Sequence, residues 1–253
     1  MDIEIIGICL IKNEDIYIKR VLKNIVNFCD NIRVVDNCST DDTVSIVEEF
    51  VKKYPHVSLE HLKDISMSHS VVQRYIGTDT WVFCVDGDEI YDPLGLSRLK
   101  PIIKSGKYQK YWMLRGYFYH VIDLDIKNNM ARGYLAPPAK DPNKFYNFSM
   151  LKSWKIDREV PLCHCMTHKF KNQKYNPHRK PKRKLLHKEF KWNDCPLRCV
   201  HTRMLQRSSQ EEYSTSINGR LNISNILHDK IHNFRKKYRI GKKKIKDVSQ
   251  FFV

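Results

Sequence analysis

The densest chemistry in the chain is the run Asp86-Gly87-Asp88-Glu89. Two carboxylates separated by one small residue can converge on a hard divalent cation such as Mg²⁺ or Mn²⁺, which takes oxygen ligands. Gly87 allows a tight turn and leaves room for a ligand. Asp-x-Asp also occurs in plain turns and helix caps. What distinguishes this one is the apolar run before it, Trp81-Val82-Phe83-Cys84-Val85, which reads as a buried strand delivering Asp86 at its end. Ile32-Arg33-Val34-Val35 delivers Asp36 in the same way.

Those strands belong to a longer pattern. Residues 3–11 form a continuous apolar run, a third buried strand, and Asn13 is placed to cap the segment that follows. Ile18, Val21, Leu22 and Ile25 recur at helical spacing, and Val44, Ile46, Val47 and Phe50 do the same within a helix predicted over Thr43 to Lys53. Pro55 stops that helix, Val57-Ser58-Leu59 reads as a strand, and residues 64–76 as a helix. Strands alternating with helices predict a mostly parallel sheet covered on both faces. In such sheets ligands bind beyond the C-terminal strand ends, which is where Asp36 and Asp86 fall.

The segments Val34-Val35-Asp36-Asn37-Cys38-Ser39-Thr40-Asp41-Asp42-Thr43 and Trp81 to Glu89 together resemble glycosyltransferase family 2. Ile8-Cys9-Leu10-Ile11-Lys12-Asn13-Glu14 resembles the family's first strand and its Asn-Glu turn. Asn37 departs from the family pattern, standing where its second Asp is usual. The resemblance covers about residues 3–92. It implies a Rossmann-like GT-A fold, α/β, with a mostly parallel central sheet flanked by helices. It also implies a nucleotide-sugar donor, UDP-linked, held with Mn²⁺ or Mg²⁺. Asp36 would contact the base or ribose, and Asn13 and Glu14 would line the same pocket. Arg74 would face the nucleotide. Asp86 would sit near the ribose and the metal, and Asp88 would bind the ion. A metal there stabilises the charge that builds on a departing diphosphate.

The second half is less sharply patterned. Residues 109–122 are aromatic and β-prone, residues 132–147 read as a loop, and Phe148 to Trp154 as a short strand. An inverting transfer needs a carboxylate to take the acceptor proton. The candidates are Glu159, then Asp157. The late segment Arg198-Cys199-Val200-His201 resembles the family's strand-then-His, which implies His201 as a further metal ligand, with His187 second. Cys163, Cys165, Cys195 and Cys199 either hold zinc or are ordinary cysteines, and their spacing is not that of a paired knuckle. Cys9, Cys29, Cys38 and Cys84 read as small buried hydrophobes.

Charge divides the 253-residue chain. Residues 1–100 carry 11 Lys and Arg against 17 Asp and Glu, a net of −6, whereas residues 101–253 carry 34 against 11, a net of +23. A polyanionic partner for the basic half follows: an acidic acceptor, an anionic membrane surface or nucleic acid. The last residues read as a basic helical C-terminal extension, with eight Lys and Arg within 235–246, suited to an anionic membrane surface. Nucleic acid explains the charge but not carboxylates at strand ends. A sugar-phosphate nucleotidyltransferase would need a Gly-rich loop where Ile11-Lys12-Asn13-Glu14 stands. A catalytically dead relative, kept as a binding subunit, is opposed by the intact Asp86 and Asp88. The expected organisation is a transferase domain over 1–215, with a donor half at 1–92 and an acceptor half at 93–215, followed by a tail at 216–253. With no apolar run near the ~20 residues of a membrane span and an acidic N-terminus, the expected location is cytoplasmic, peripheral to a membrane where the tail binds one. The acceptor is a hydroxyl on a glycan, a lipid or another molecule.

Overall fold

The computed structural model describes residues 2–125, 127–128, 130–135, 144–156, 166–170, 182–211 and 246–249. The first half alternates strand and helix: β1 (Glu4–Ile11), α1 (Ile18–Ile25), β2 (Asn31–Asp36), α2 (Thr43–Lys53), β3 (Val57–His61), a 3₁₀ segment (Ile65–Tyr75), β4 (Thr80–Asp86), then β5 (Glu89–Tyr91) and α3 (Pro93–Lys104). Strands dominate the rest: β6 (Met113–Arg115), β7 (Tyr117–Asp125), β8 (Met130–Leu135), β9 (Phe145–Asn147), β10 (Leu151–Ile156), β11 (Met166–Phe170), β12 (Arg183–Leu185), the short helix α4 (Leu186–Glu189), β13 (Arg198–His201) and β14 (Lys246–Ser249).

The main sheet has seven strands in the order β12-β6-β9-β4-β1-β2-β3. Its β4-β1-β2-β3 portion is parallel throughout, and only β9 runs antiparallel to its neighbours. Strict alternation sorts the side chains of β1 and β4 between two cores. Ile5, Cys9, Ile11, Trp81, Phe83 and Val85 join the larger cluster. Ile6, Ile8, Val82 and Cys84 join the smaller one. The larger cluster is covered by Ile18, Val21, Leu22 and Ile25 of α1 and by Leu96, Leu99 and Ile103 of α3. The smaller is closed by Val71, Val72, Trp112 and Trp154. Each fully buried aliphatic side chain contributes roughly 1.5–3 kcal/mol, so a sheet buried on both faces is rigid and its ends are well positioned.

A second sheet, ordered β14-β8-β7-β13-β5, begins where β4 leaves off. β5 pairs antiparallel with β13, and β13 pairs parallel with β7. The chain thus passes from one sheet to the other through Gly87 and Asp88.

Several expectations are corrected. The helix expected over residues 64–76 is present at 65–75, wound as 3₁₀. The expected loop at 132–147 contains the end of β8 and all of β9, because both are paired by long-range partners. Asp92-Pro93 starts α3: the Asp92 carboxylate accepts from the Leu94 amide at 3.1 Å, with Pro93 in the first turn. Asn13 caps no helix; it ties two loops together, as described below. Cys38 is exposed, not buried. Lys246–Ser249 is a strand against β8 rather than helix, and the remaining residues from 212 to 253 lie outside the described ones. No helix among the described residues is long and apolar enough to cross a membrane.

Candidate active site

Parallel pairing sets the site's floor. Register places Ile11 beside Asp36 and Leu10 beside Asp86, so the two acids flank the C-terminal end of β1. Two strand spacings put their backbones roughly 10 Å apart. Asp36 is buried. Its carboxylate accepts from the Ser39 amide at 3.2 Å and faces His61 Nδ1 at 3.3 Å. That backward bend requires Cys38 to take a left-handed φ of 56°, a conformation of some cost for a non-glycine residue. Asn13, at φ 54°, is the other such residue among the described ones. Its side chain accepts from the Thr40 amide at 2.8 Å, and its own amide donates to Ser39 Oγ at 2.9 Å. The loops after β1 and β2 are therefore locked to each other.

The acidic run divides its labour. Asp86 accepts from Lys144 Nζ at 2.6 Å, and Glu89 Oε1 takes the same ammonium at 3.0 Å. Glu89 Oε2 accepts from the Asp86 amide and from Tyr91 Oη. Asp88 points the other way, its Oδ2 lying 3.4 Å from His201 Nε2 and 3.3 Å from Arg207 Nη1. Asp88, Glu89 and His201 are 3%, 1% and 8% exposed, and each offers a ligand atom within 4.8 Å of the others. Two donors held at right angles about 2.1 Å from one Mg²⁺-sized ion lie about 3 Å apart. The Asp88–His201 separation therefore suits a shared ion; the carboxylates suit Mn²⁺ or Mg²⁺, and the imidazole favours the transition metal of the two.

Electrostatics follow from burial. Burial works to raise Asp88, but the hydrogen bond and charge of His201 and the nearby Arg207 carry it well below the usual carboxylate range. Burial pushes Glu89 up to about 7 against the pull of Lys144. Burial likewise pushes Glu14 up to about 9, with Arg207 opposing and the charges of Asp88 and Asp86 adding. Glu14 Oε1 accepts from Arg207 Nη1 at 2.9 Å. Its Oε2 is buried with no hydrogen-bond partner, as is Arg207 Nε, so the site holds polar capacity that protein atoms leave unused.

Gly87 has a different role from the one its type suggests. A Cβ at this position would lie 2.6 Å from Glu14 Cγ. The space is taken by Glu14, which presses the Gly87-Asp88 turn against the first loop.

After β13 the chain crosses back over the strand ends as a strap. Thr202 donates its amide to the Asp88 carbonyl at 2.9 Å. Ser208 Oγ donates to Asp41 at 2.6 Å, Ser209 bonds Asp15, and Gln210 Nε2 reaches the Thr40 carbonyl at 2.9 Å.

The structure thus gathers Asn13, Glu14, Asp36, Asp86, Asp88 and His201 at one edge. It does not bring Arg74 there: Arg74 and Tyr75 line a depression with Glu4, Asn31 and Val57, at the N-terminal ends of β1, β2 and β3. Sequence reasoning also missed Lys144, Arg207, Glu89 and His120. Glu89 alone had a local signal, standing next to Asp88. Glu159, Asp157, Cys163 and Cys165 lie outside the described residues. His187 sits on α4, in edge-to-face contact with Tyr117 at 6.0 Å. The Cys195 and Cys199 thiols are buried and donate to backbone carbonyls. Burial raises both, Cys195 to about 11.

A doubly covered, mostly parallel sheet with acids at its C-terminal edge and a buried carboxylate–imidazole cluster makes an α/β protein of the GT-A type. Residues 8–152 match the sequence model of glycosyl transferase family 2, and the chain belongs to that family. It is 31% identical over 85 residues to the SPbeta prophage-derived glycosyltransferase SunS of Bacillus subtilis (strain 168), and the same figures hold for the glycosyltransferase SunS of Bacillus phage SPbeta. That alignment spans 32% of this chain and 19% of the relative. Among solved structures, S. aureus TarS 1–349 in complex with UDP is 18% identical with a TM-score of 0.36, covering 59% of this chain and 48% of that one. The mannosyltransferase PcManGT from Pyrobaculum calidifontis, in complex with GDP-Man and Mn²⁺, is 21% identical with a TM-score of 0.34, covering 47% and 35%.

Proposed function

We propose that the chain transfers a sugar from a nucleotide-diphosphate donor, UDP-linked, to an acceptor hydroxyl with inversion, using a divalent cation. The observation that carries this reading is the buried Asp88–Glu89–His201 cluster beside Asp36 and Asp86, at the strand ends of a family 2 chain. Asp88 and His201 would hold the ion, and Glu89 would keep Asp86 and Lys144 in register beside it. The bound ion would supply countercharge to the diphosphate as it leaves. Asp36, with Asn13 and Glu14, would hold the nucleoside.

In the transfer, the acceptor oxygen forms its bond to the anomeric carbon as the bond to the diphosphate oxygen breaks, and the bonding pair leaves with the nucleoside diphosphate. The acceptor proton passes to a carboxylate, for which Glu159 and Asp157 are the candidates. The acceptor is a hydroxyl on a glycan, lipid or other molecule. The basic half favours an acidic one, or an anionic membrane surface contacted through 235–246.

The test is titration calorimetry of UDP and GDP, with and without Mn²⁺, into the wild-type protein and Asp88→Ala. UDP binding that requires Mn²⁺ and disappears in Asp88→Ala is expected, followed by turnover in a panel of UDP-sugars. Absence of binding of either nucleotide under every metal condition overturns the proposal.

A further inference from the structure

The row of side chains leading away from the proposed ion continues one residue further than the metal cluster. Register aligns Glu89 of β5 with His201 of β13, and His201 with His120 of β7. Residues directly opposite one another in a sheet point to the same face, so the three lie in line across three strands. His201 Nδ1 is 3.1 Å from His120 Nδ1, with ring centroids 5.0 Å apart. His201 is thus held at both nitrogens, Nε2 toward Asp88 and Nδ1 toward His120.

Two Nδ1 atoms at that distance share a single proton: one ring donates and the other accepts. An imidazole that gives its Nε2 lone pair to a metal must carry its proton on Nδ1, and a fixed acceptor there orients the ring. We propose that His120 is the positioning residue for His201: its Nδ1 accepts the His201 Nδ1–H and so presents the Nε2 lone pair to the divalent cation. This rests on the metal site proposed above. His120 touches neither donor nor acceptor in this assignment.

The assignment separates hydrogen bonding from packing. His120→Phe keeps a ring beside His201 and Phe118 but cannot accept. His120→Asn is smaller, yet carries an acceptor oxygen near the Nδ1 position. The experiment is Mn²⁺ titration by calorimetry into wild type, both variants and Asp88→Ala, with electron spin-echo measurement of nitrogen coupling to bound Mn²⁺. His120→Phe is expected to weaken Mn²⁺ binding by about 10–100-fold and to diminish the nitrogen coupling. His120→Asn is expected to stay within about threefold of wild type with the coupling intact. Phe binding as tightly as wild type, or Asn losing as much as Phe, overturns the positioning role. Either result leaves the metal site standing where Asp88→Ala abolishes binding. Undiminished Mn²⁺ binding in Asp88→Ala overturns the site itself and this inference with it.

Discussion

At the scale of single residues, the site is a set of charges held in buried positions by their neighbours. Lys144 is the only cation that contacts both Asp86 and Glu89 among the described residues, and it is 6% exposed. Removing one partner of a buried ion pair strands the other and costs about 3–5 kcal/mol. Above pH 7, where Glu89 is ionised, Lys144→Met is therefore expected to lower the unfolding free energy by up to about that amount, measured by urea denaturation. Adding Glu89→Gln, which removes one stranded charge, should recover part of the loss. If the double variant is no more stable than the single one, Lys144 is not neutralising Glu89. Gly87 makes a second prediction. With Glu14 Cγ only 2.6 Å from the position of an added Cβ, Gly87→Ala must displace the Asp88 turn. Its Mn²⁺-dependent nucleotide affinity should fall at least about tenfold, the usual outcome when a ligand's supporting contact is lost. Circular dichroism should remain unchanged.

At the scale of elements, the decisive junction is where β5 and α3 meet β13. Asp92 caps α3 through Leu94 and also accepts from Arg198 Nε at 2.7 Å, one residue pair beyond the β5–β13 ladder. A lost cap costs about 0.5–2 kcal/mol, and the stranded, mostly buried Arg198 adds to it. Asp92→Ala is expected to destabilise the protein by about 2–4 kcal/mol in chemical denaturation. It should also weaken Mn²⁺ binding, because the same ladder carries His201. A stability loss with unaltered metal affinity would show that the ladder holds its register without this clasp.

At the scale of the whole molecule, the site contributes to the pH dependence of stability. Glu14 at about 9 and Glu89 at about 7 both lie above the ordinary 4.5. Between pH 4.5 and 9 the metal-free folded protein therefore keeps protons that the unfolded chain has lost. Their contribution is fully present below pH 4.5 and declines as pH rises through 7 and then 9, by up to about 1.4 kcal/mol per pH unit for each group. Asp88 works in the opposite sense: its contribution is present above its ordinary 3.8 and is lost as pH falls below it. Thermal melting of the metal-free protein should therefore be highest in mildly acid buffer and decline toward pH 9. Glu14→Gln should flatten the decline above pH 7. A melting temperature that rises from pH 6 to 9 would contradict the protonated state of Glu14.

What could be read in advance and what could not divides along sequence distance. β1, β2, β4 and the acids at their ends were legible because a strand buried on both faces needs an unbroken apolar run, and a carboxylate closing such a run stands out. Asp36, Asp86 and Asp88 carried local signals of this kind, whereas His201 was reached only through the family resemblance. Glu14 was likewise implied by the resemblance to the family's Asn-Glu turn, although its pressure on Gly87 was invisible. Lys144, His120 and Arg207 carried none: they lie in β-rich or irregular stretches and reach the site across 58, 81 and 119 residues of chain, to Asp86, His201 and Asp88 respectively. Arg74 was misplaced because a helical reading of 64–76 does not say which end of the sheet the segment packs against. Alternation and capping are properties of neighbours along the chain, so the amino-acid sequence determined by itself the layered sheet and the edge at which its chemistry gathers. Which cation neutralises which carboxylate, and which ring holds His201, depended on strand register between distant segments. Only the tertiary structure decides that.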